Sequence, residues 1–182
     1  RQALASFLQV SPREIYFTGG GTESDNWALL SAMEWGEKNT KHLLTSTIEH
    51  PAILRTASFL ENLGVKVSRI PVDDKGFLDL ETLENALKQR ENTTCLVSVM
   101  AANNEIGTLQ NLQEIGSLAH RHGALFHTDA VQAFSQIPIA VEEMGIDLLS
   151  ASSHKIHGPK GVGLLYIRKG LKLPALLHGG AQ

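Results

Sequence analysis

The chain has a single cysteine, Cys95. That excludes an intramolecular disulfide and any metal site built from several cysteines. Basic charge is also scarce: 16 Lys and Arg stand against 19 Asp and Glu, a net charge of −3 with eight His neutral. The basic residues are scattered, with no run of four. The positive surface that binds phosphate backbones is therefore missing, and no nucleic-acid partner is expected. No apolar stretch approaches the roughly 18–20 residues of a membrane span, so no membrane partner is expected either. The opening RQALASFLQVSPREIYF puts charges where an export signal needs an apolar core. Internal repeats, low-complexity tracts and linkers are absent. The histidines form no HExxH, and His120 and His122 face different sides of one helix, so no metal is expected. A reducing, cytoplasmic location follows as the expectation.

What is present is ordinary globular material. At 182 residues, with 42% hydrophobic and 19% charged, the chain can build one sizeable domain with its own core. Short apolar runs alternate with helical patterns, which predicts an α/β fold: a three-layer α/β/α sandwich with a mostly parallel sheet. Strands are expected over residues 14–18, 42–46, 65–70, 94–100, 124–128 and 147–150. The run at 94–100, β-branched and apolar, reads as central. Helices are expected over 1–9, 22–38, 51–64, 80–89 and 112–122. Pro51 suits a first helical turn, Asp79 a cap, and Gly64 and Gly123 helix stops. The run GVGLLYI at 161–167 follows the strand at 147–150 too closely for a helical crossover of about 10–12 residues. It should lie antiparallel.

In open α/β sheets ligands bind beyond the carboxyl ends of strands. Five polar clusters sit there: GGGTESDN, EH, AANNE, HTDAVQ and SSHKIHGPKG. The glycines of TGGGTESDN let the backbone approach a ligand, and a helix start favours an anion such as phosphate. The pattern is not a Walker loop, since no Lys-Ser or Lys-Thr follows; taken alone it also fits a plain strand-to-helix turn. In HTDAVQ, Asp129 can pair with a protonated ring nitrogen while Gln132 reaches another edge of the same ring. Taken alone, that carboxylate also reads as the cap of a following helix. In SASSHKIHGPKG, hydrogen-bonding Ser152, Ser153 and His154 flank Lys155, and apolar Ile156 follows. Neighbours and burial there can lower an amine's pKa, which suits imine formation. A lysine among such residues is a poor match to a merely solvated one. His50, at a strand end before Pro51, reads equally well as structural. Cys95, in TTCLVSV, reads as a buried strand residue and not a nucleophile.

Together TGGGTESDN, TSTIEHPAIL, SVMAANNEIGTLQ, HTDAVQ, SSHKIHGPKGVGLLY and LHGG resemble the class V, aminotransferase-fold enzymes that use pyridoxal 5'-phosphate (PLP). Within them the strings are most similar to cysteine desulfurases of the NifS/IscS type. The motifs run in the family's order across nearly the whole chain. The resemblance implies a PLP-dependent transferase (aspartate aminotransferase-like) large domain over residues 1–182, incomplete, with the C-terminal small domain and an N-terminal segment outside it. It implies Lys155 as the Schiff-base lysine and Asp129 on the pyridine nitrogen. Gln132 would meet the ring hydroxyl, His50 the ring face, and Asn104 the cofactor and the substrate carboxylate. Gly21, Thr22, Ser152 and His154 would hold the phosphate; Gly21 stands where the family usually has Ala. Lys155 and His50 would be the catalytic residues. The implied reaction converts L-cysteine to L-alanine and passes sulfur to an enzyme cysteine outside this chain. The implied enzyme is a homodimer that delivers sulfur to an acceptor protein, as in iron–sulfur cluster assembly. A selenocysteine lyase, another class V enzyme, or a non-catalytic PLP-fold binding module share these motifs.

Overall fold

Successive residues of a strand point to opposite faces of a sheet. Here both members of adjacent pairs are buried: Leu43 and Leu44, Leu96 and Val97, Leu125 and Phe126, Leu148 and Leu149, Leu164 and Leu165. A sheet buried on both faces needs helices on both. The computed structural model, which describes residues 1–34, 40–89 and 93–179, has that form. Its strands are β1 (Ile15–Thr18), β2 (Thr40–Ser46), β3 (Lys66–Ile70), β4 (Thr93–Ser98), β5 (Leu125–Asp129), β6 (Leu148–Ser152) and β7 (Gly163–Ile167). Its helices are α1 (Gln2–Leu8), α2 (Gly21–Glu34), α3 (Pro51–Asn62), α4 (Leu80–Lys88) and α5 (Leu112–Arg121).

Leu43, Leu96, Leu125, Leu148 and Leu165 pack on one face against Ala28, Leu29 and Ala32 of α2 and Ile53, Ala57 and Leu60 of α3. Leu44, Val97, Phe126, Leu149 and Leu164 form the other face with Ala5 and Leu8 of α1, Leu83 and Leu87 of α4, and Ile115 and Leu118 of α5. The expected three layers are therefore present, with the core divided between two faces.

The strand order is β1-β7-β6-β5-β4-β2-β3. β7 runs antiparallel to both its neighbours, and the other pairs are parallel. Since β7 reverses direction twice, β1 points the same way as β6. The carboxyl ends of β1, β2, β4, β5 and β6 thus share one edge, which carries all five polar clusters.

Local chemistry sets the boundaries. His50 caps α3 by accepting the Ala52 N–H at Nδ1, 3.1 Å, with Pro51 at the first helical position. Asp79 caps α4 through the Thr82 N–H, 3.0 Å. Gly64 and Gly123 follow α3 and α5 with φ of 87° and 61°, the left-handed backbone that ends helices. The expected helix over 22–38 is described as far as Glu34; residues 35–38 lie outside the described residues. The strand expected over 94–100 spans Thr93–Ser98, inside the sheet between β5 and β2. One alternative is corrected. Asp129 caps no helix, because residues 131–136 and 141–145 form only turns; its Oδ1 instead accepts the Val131 N–H at 2.9 Å.

Candidate active site

A cleft of about 880 Å³ opens on the carboxyl edge. Its lining includes Gly21, Thr22, His50, Asn104, Asp129, Gln132, Ser152, His154 and Lys155, the whole set of site residues expected from the sequence. They come from five separate strand ends. Lys160, in the glycine-rich turn after Lys155, lines the same cleft.

At one part of the wall, β1 runs through Gly19 and Gly20 into α2. The Gly19 N–H donates to Glu23 Oε2, 2.8 Å, and Thr18 Oγ1 pairs with Ser24 Oγ, 2.8 Å, which fixes the turn. The first N–H groups of a helix lack intrahelical acceptors and carry the positive end of its dipole. A Cβ on Gly21 would stand 2.6 Å from Val131 Cγ2, so the missing methyl lets the turn after β5 close against α2. Ser152 Oγ and His154 Nδ1 are 2.8 Å apart.

Lys155 sits in a short 3-10 turn, Ser153–Lys155, between β6 and β7. Ser153 ties this loop: its Oγ donates to the Pro159 carbonyl, its N–H to Val162 O at 3.0 Å, and its carbonyl accepts the Gly158 N–H at 2.9 Å. The burial expected around Lys155 is not observed, because the turn stands on the rim and the lysine is exposed.

Asp129 ends β5, which is paired on both sides, and it is only 5% exposed. Burial raises its carboxyl above the ordinary value, while the Val131 N–H and the charge of His50 pull it down. Asn104 is exposed on a loop held by its neighbour. Asn103 Oδ1 accepts the N–H groups of Glu105, 2.8 Å, and Ile106, 3.0 Å, and Asn103 Nδ2 donates to Ile48 O, 2.9 Å.

Several polar residues of the site escaped the sequence reading. Glu49 is buried and accepts the Met100 N–H at 3.0 Å from each oxygen, with Ser46 Oγ donating to Oε1 at 2.6 Å. It thereby staples the end of β2 to the end of β4. Burial pushes its carboxyl up to about 8. Asp25 of α2 lines the cleft at 1% exposure, and its Oδ1 has no hydrogen-bond partner among the described residues. Burial, then the charges of Asp129 and Glu49, push its carboxyl well above the usual range. His127 of β5 is buried and driven down to about 3, so it is neutral; at 3.8 Å from Asp25 it is no ion-pair partner. The available signal was a histidine directly after the apolar pair Leu125 and Phe126, and acids beside residues already singled out.

The class-V aminotransferase model matches residues 1–182. The chain belongs to the class-V aminotransferase family. It is 50% identical over 182 residues to a cysteine desulfurase IscS of Clostridium botulinum (strain Kyoto / Type A2), covering all of this chain and 45% of that protein. It is 46% identical over 184 residues to the mitochondrial cysteine desulfurase of Saccharomyces cerevisiae, covering 36% of it. Among solved structures, a NifS-like protein superposes with a TM-score of 0.92 at 45% identity, over all of this chain and 49% of that one. SspA in complex with cysteine superposes at 0.93 with 40% identity, over all of this chain and 52% of that one. The chain thus spans less than half the length of these curated relatives. Among the described residues no helix of this class-V member is long and apolar enough to cross a membrane.

Proposed function

We propose that this chain is the PLP-binding large domain of a cysteine desulfurase, with Lys155 as the amine that bonds the cofactor. The observation that carries the reading is convergence. An amine, a buried carboxylate and a helix N-terminus, drawn from distant parts of the sequence, line one cleft. The donor set fits PLP. Its volume lies within the roughly 300–1,000 Å³ of cofactor sites. An anion suits the α2 N-terminus with Ser152 and His154. A protonated ring nitrogen suits a buried carboxylate such as Asp129.

When bound, PLP supplies a conjugated ring that takes up electron density from a substrate Cα. Asp129 would hold the proton on the ring nitrogen. Gln132 would meet the ring hydroxyl, and His50 the ring face. Gly21, Thr22, Ser152 and His154 would hold the phosphate, and Asn104 would serve the cofactor and the carboxylate of L-cysteine. Lys155 Nζ, as a free amine, carries the Cα proton. The relatives named cysteine desulfurase support the choice of substrate. On this reading the full-length enzyme is a cytoplasmic homodimer that passes sulfur to an acceptor protein, as iron–sulfur assembly requires.

PLP added to the folded chain should give a visible absorption band. Borohydride followed by peptide mapping should place the fixed cofactor on Lys155, and Lys155→Ala should abolish it. Lys160 shares the cleft and is therefore a demanding control. A label on Lys160 would overturn the assignment of Lys155, and no band at all would favour a module that does not bind PLP.

A further inference from the structure

Beneath the cleft lies a polar chain that the proposed chemistry leaves unused. Ser98 Oγ and His127 Nδ1 are 2.8 Å apart, and His127 Nε2 and Ser150 Oγ 3.0 Å. Asp25 stands beside this relay, its Oδ1 3.8 Å from His127 Nε2. The four residues belong to β4, β5, β6 and α2, and none is more than 1% exposed.

Such a chain has two polarities. A neutral imidazole donates from one nitrogen and accepts at the other. With the ring proton on Nε2, that N–H donates to Ser150 and faces Asp25, while Ser98 donates to Nδ1; this arrangement suits an ionised Asp25. With the ring proton on Nδ1, that N–H donates to Ser98 and Ser150 donates to Nε2; no ring N–H then faces Asp25, which suits a neutral one. The charge on Asp25 therefore biases the tautomer of His127.

Charged groups face Asp25 from three directions. Glu49 and Asp129 bring like charge from the turn before α3 and from the end of β5. His50 acts on Asp129 from the same turn. His154, Lys155 and Lys160 line the cleft from the β6–β7 connection. Two neighbouring buried carboxyls do not both ionise at low cost. They are unequally equipped for the charge. Asp129 Oδ1 accepts the Val131 N–H at 2.9 Å, whereas Asp25 Oδ1 accepts nothing.

We infer that Asp25 is a positioning residue for Asp129: it keeps the proton of the pair and so leaves Asp129 as the anion that faces the cleft. The benefit to a bound ring nitrogen rests on the reading given above. The state of Asp25 itself does not, and it can be measured without cofactor.

The experiment is NMR on the isotope-labelled chain at pH 7. Long-range 1H–15N correlations should place the His127 ring proton on Nδ1. The 13C carboxyl signals should include a neutral carboxyl that vanishes in Asp25→Asn, with the ionised Asp129 signal present in both proteins. Adding PLP should leave the His127 tautomer in place, since the ring nitrogen draws on Asp129. An ionised carboxyl as the signal lost in Asp25→Asn overturns the inference, as does a tautomer flip on adding PLP. If Asp25→Asn fails to fold, the wild-type spectrum decides: no neutral Asp carboxyl at pH 7 overturns the inference. Failure of PLP to attach would sink the desulfurase reading and leave this measurement standing.

Discussion

Glu49 gives the sharpest quantitative test of the buried acids. Its carboxyl moves from an ordinary 4.5 to about 8 in the folded chain, chiefly through burial. This is the reverse of the common carboxylate case. Between those two values the native chain holds a proton that the unfolded chain has released, so stability falls as pH rises. The slope approaches 1.4 kcal/mol per pH unit, and the loss across the window is on the order of 5 kcal/mol. Below the window both states are protonated, and above it both are ionised, so the contribution is flat at either end. A loss of that size is a large part of the roughly 5–15 kcal/mol that a domain possesses. Glu49→Gln removes the titration and keeps an acceptor for the Met100 N–H, which the native residue binds at 3.0 Å. Losing the second acceptor oxygen should cost about 1 kcal/mol at every pH. The variant should therefore be slightly less stable than wild type near pH 5 and more stable near pH 9. Urea unfolding of both proteins at pH 5, 7 and 9 measures the crossing. Asp25 and Asp129 titrate in both proteins, so the difference reports Glu49 together with its charge coupling to those two acids. Parallel profiles, or a wild type that gains on the variant as pH rises, would refute the reasoning.

Four further outcomes can be checked. Gly116→Ala puts a methyl 2.0 Å from the Met144 carbonyl oxygen and 3.0 Å from Phe126 Cδ1. Backbone cannot yield there as a side chain would, so thermal unfolding should show a loss of about 2–3 kcal/mol. Asp147 is fully buried and accepts the Phe126 N–H at 2.8 Å, with His120 Nε2 at 2.9 Å and Arg168 Nε at 2.5 Å. Asp147→Ala should cost about 3 kcal/mol or more in denaturant, against about 1 kcal/mol or less for the half-exposed Arg168→Ala. Asp79→Ala removes the cap on the Thr82 N–H and should cost about 1 kcal/mol by the same assay. On the proposed function, Asp129→Asn should still bond PLP at Lys155 but exchange the Cα proton of bound cysteine far more slowly in heavy water; an unchanged exchange rate would remove Asp129 from its role.

The sequence carried the edge of the sheet more clearly than its middle. Glycine runs, a proline at a helix start and polar strings after apolar runs are local signals, and they marked each strand end that reaches the cleft. The antiparallel β7 was legible because the connection over 153–162 falls short of the dozen or more residues that a parallel crossover takes. The strand order was not legible, since nothing local to Ile15–Thr18 says that its partner is Gly163–Ile167. Asp25, Glu49 and His127 were missed for a related reason. An acid on a helix or in a turn reads as solvated until a second layer is packed over it, and α2 buries Ser24 and Asp25 along with its apolar residues. The Asn103–Asn104 pair shows the same limit. Both look alike in sequence, yet one is buried as the strut of the loop and the other lines the cleft.

The pairing of β1 with β7 has a consequence for the life of the chain. The two strands join near opposite ends of the described sequence, with Thr18 opposite Gly163. The fit is close enough that a Cβ on Gly163 would stand 2.6 Å from the Gly20 carbonyl carbon and from Thr18 Oγ1. The glycine turn after β1 and the Lys155 loop are thus brought side by side by β7. A ribosome working at about 5–20 residues per second makes β1 well before β7. β7 is the one neighbour β1 has among the described strands. Until it arrives, the backbone groups of β1 have water for partners and the glycine turn has no strand to lean on.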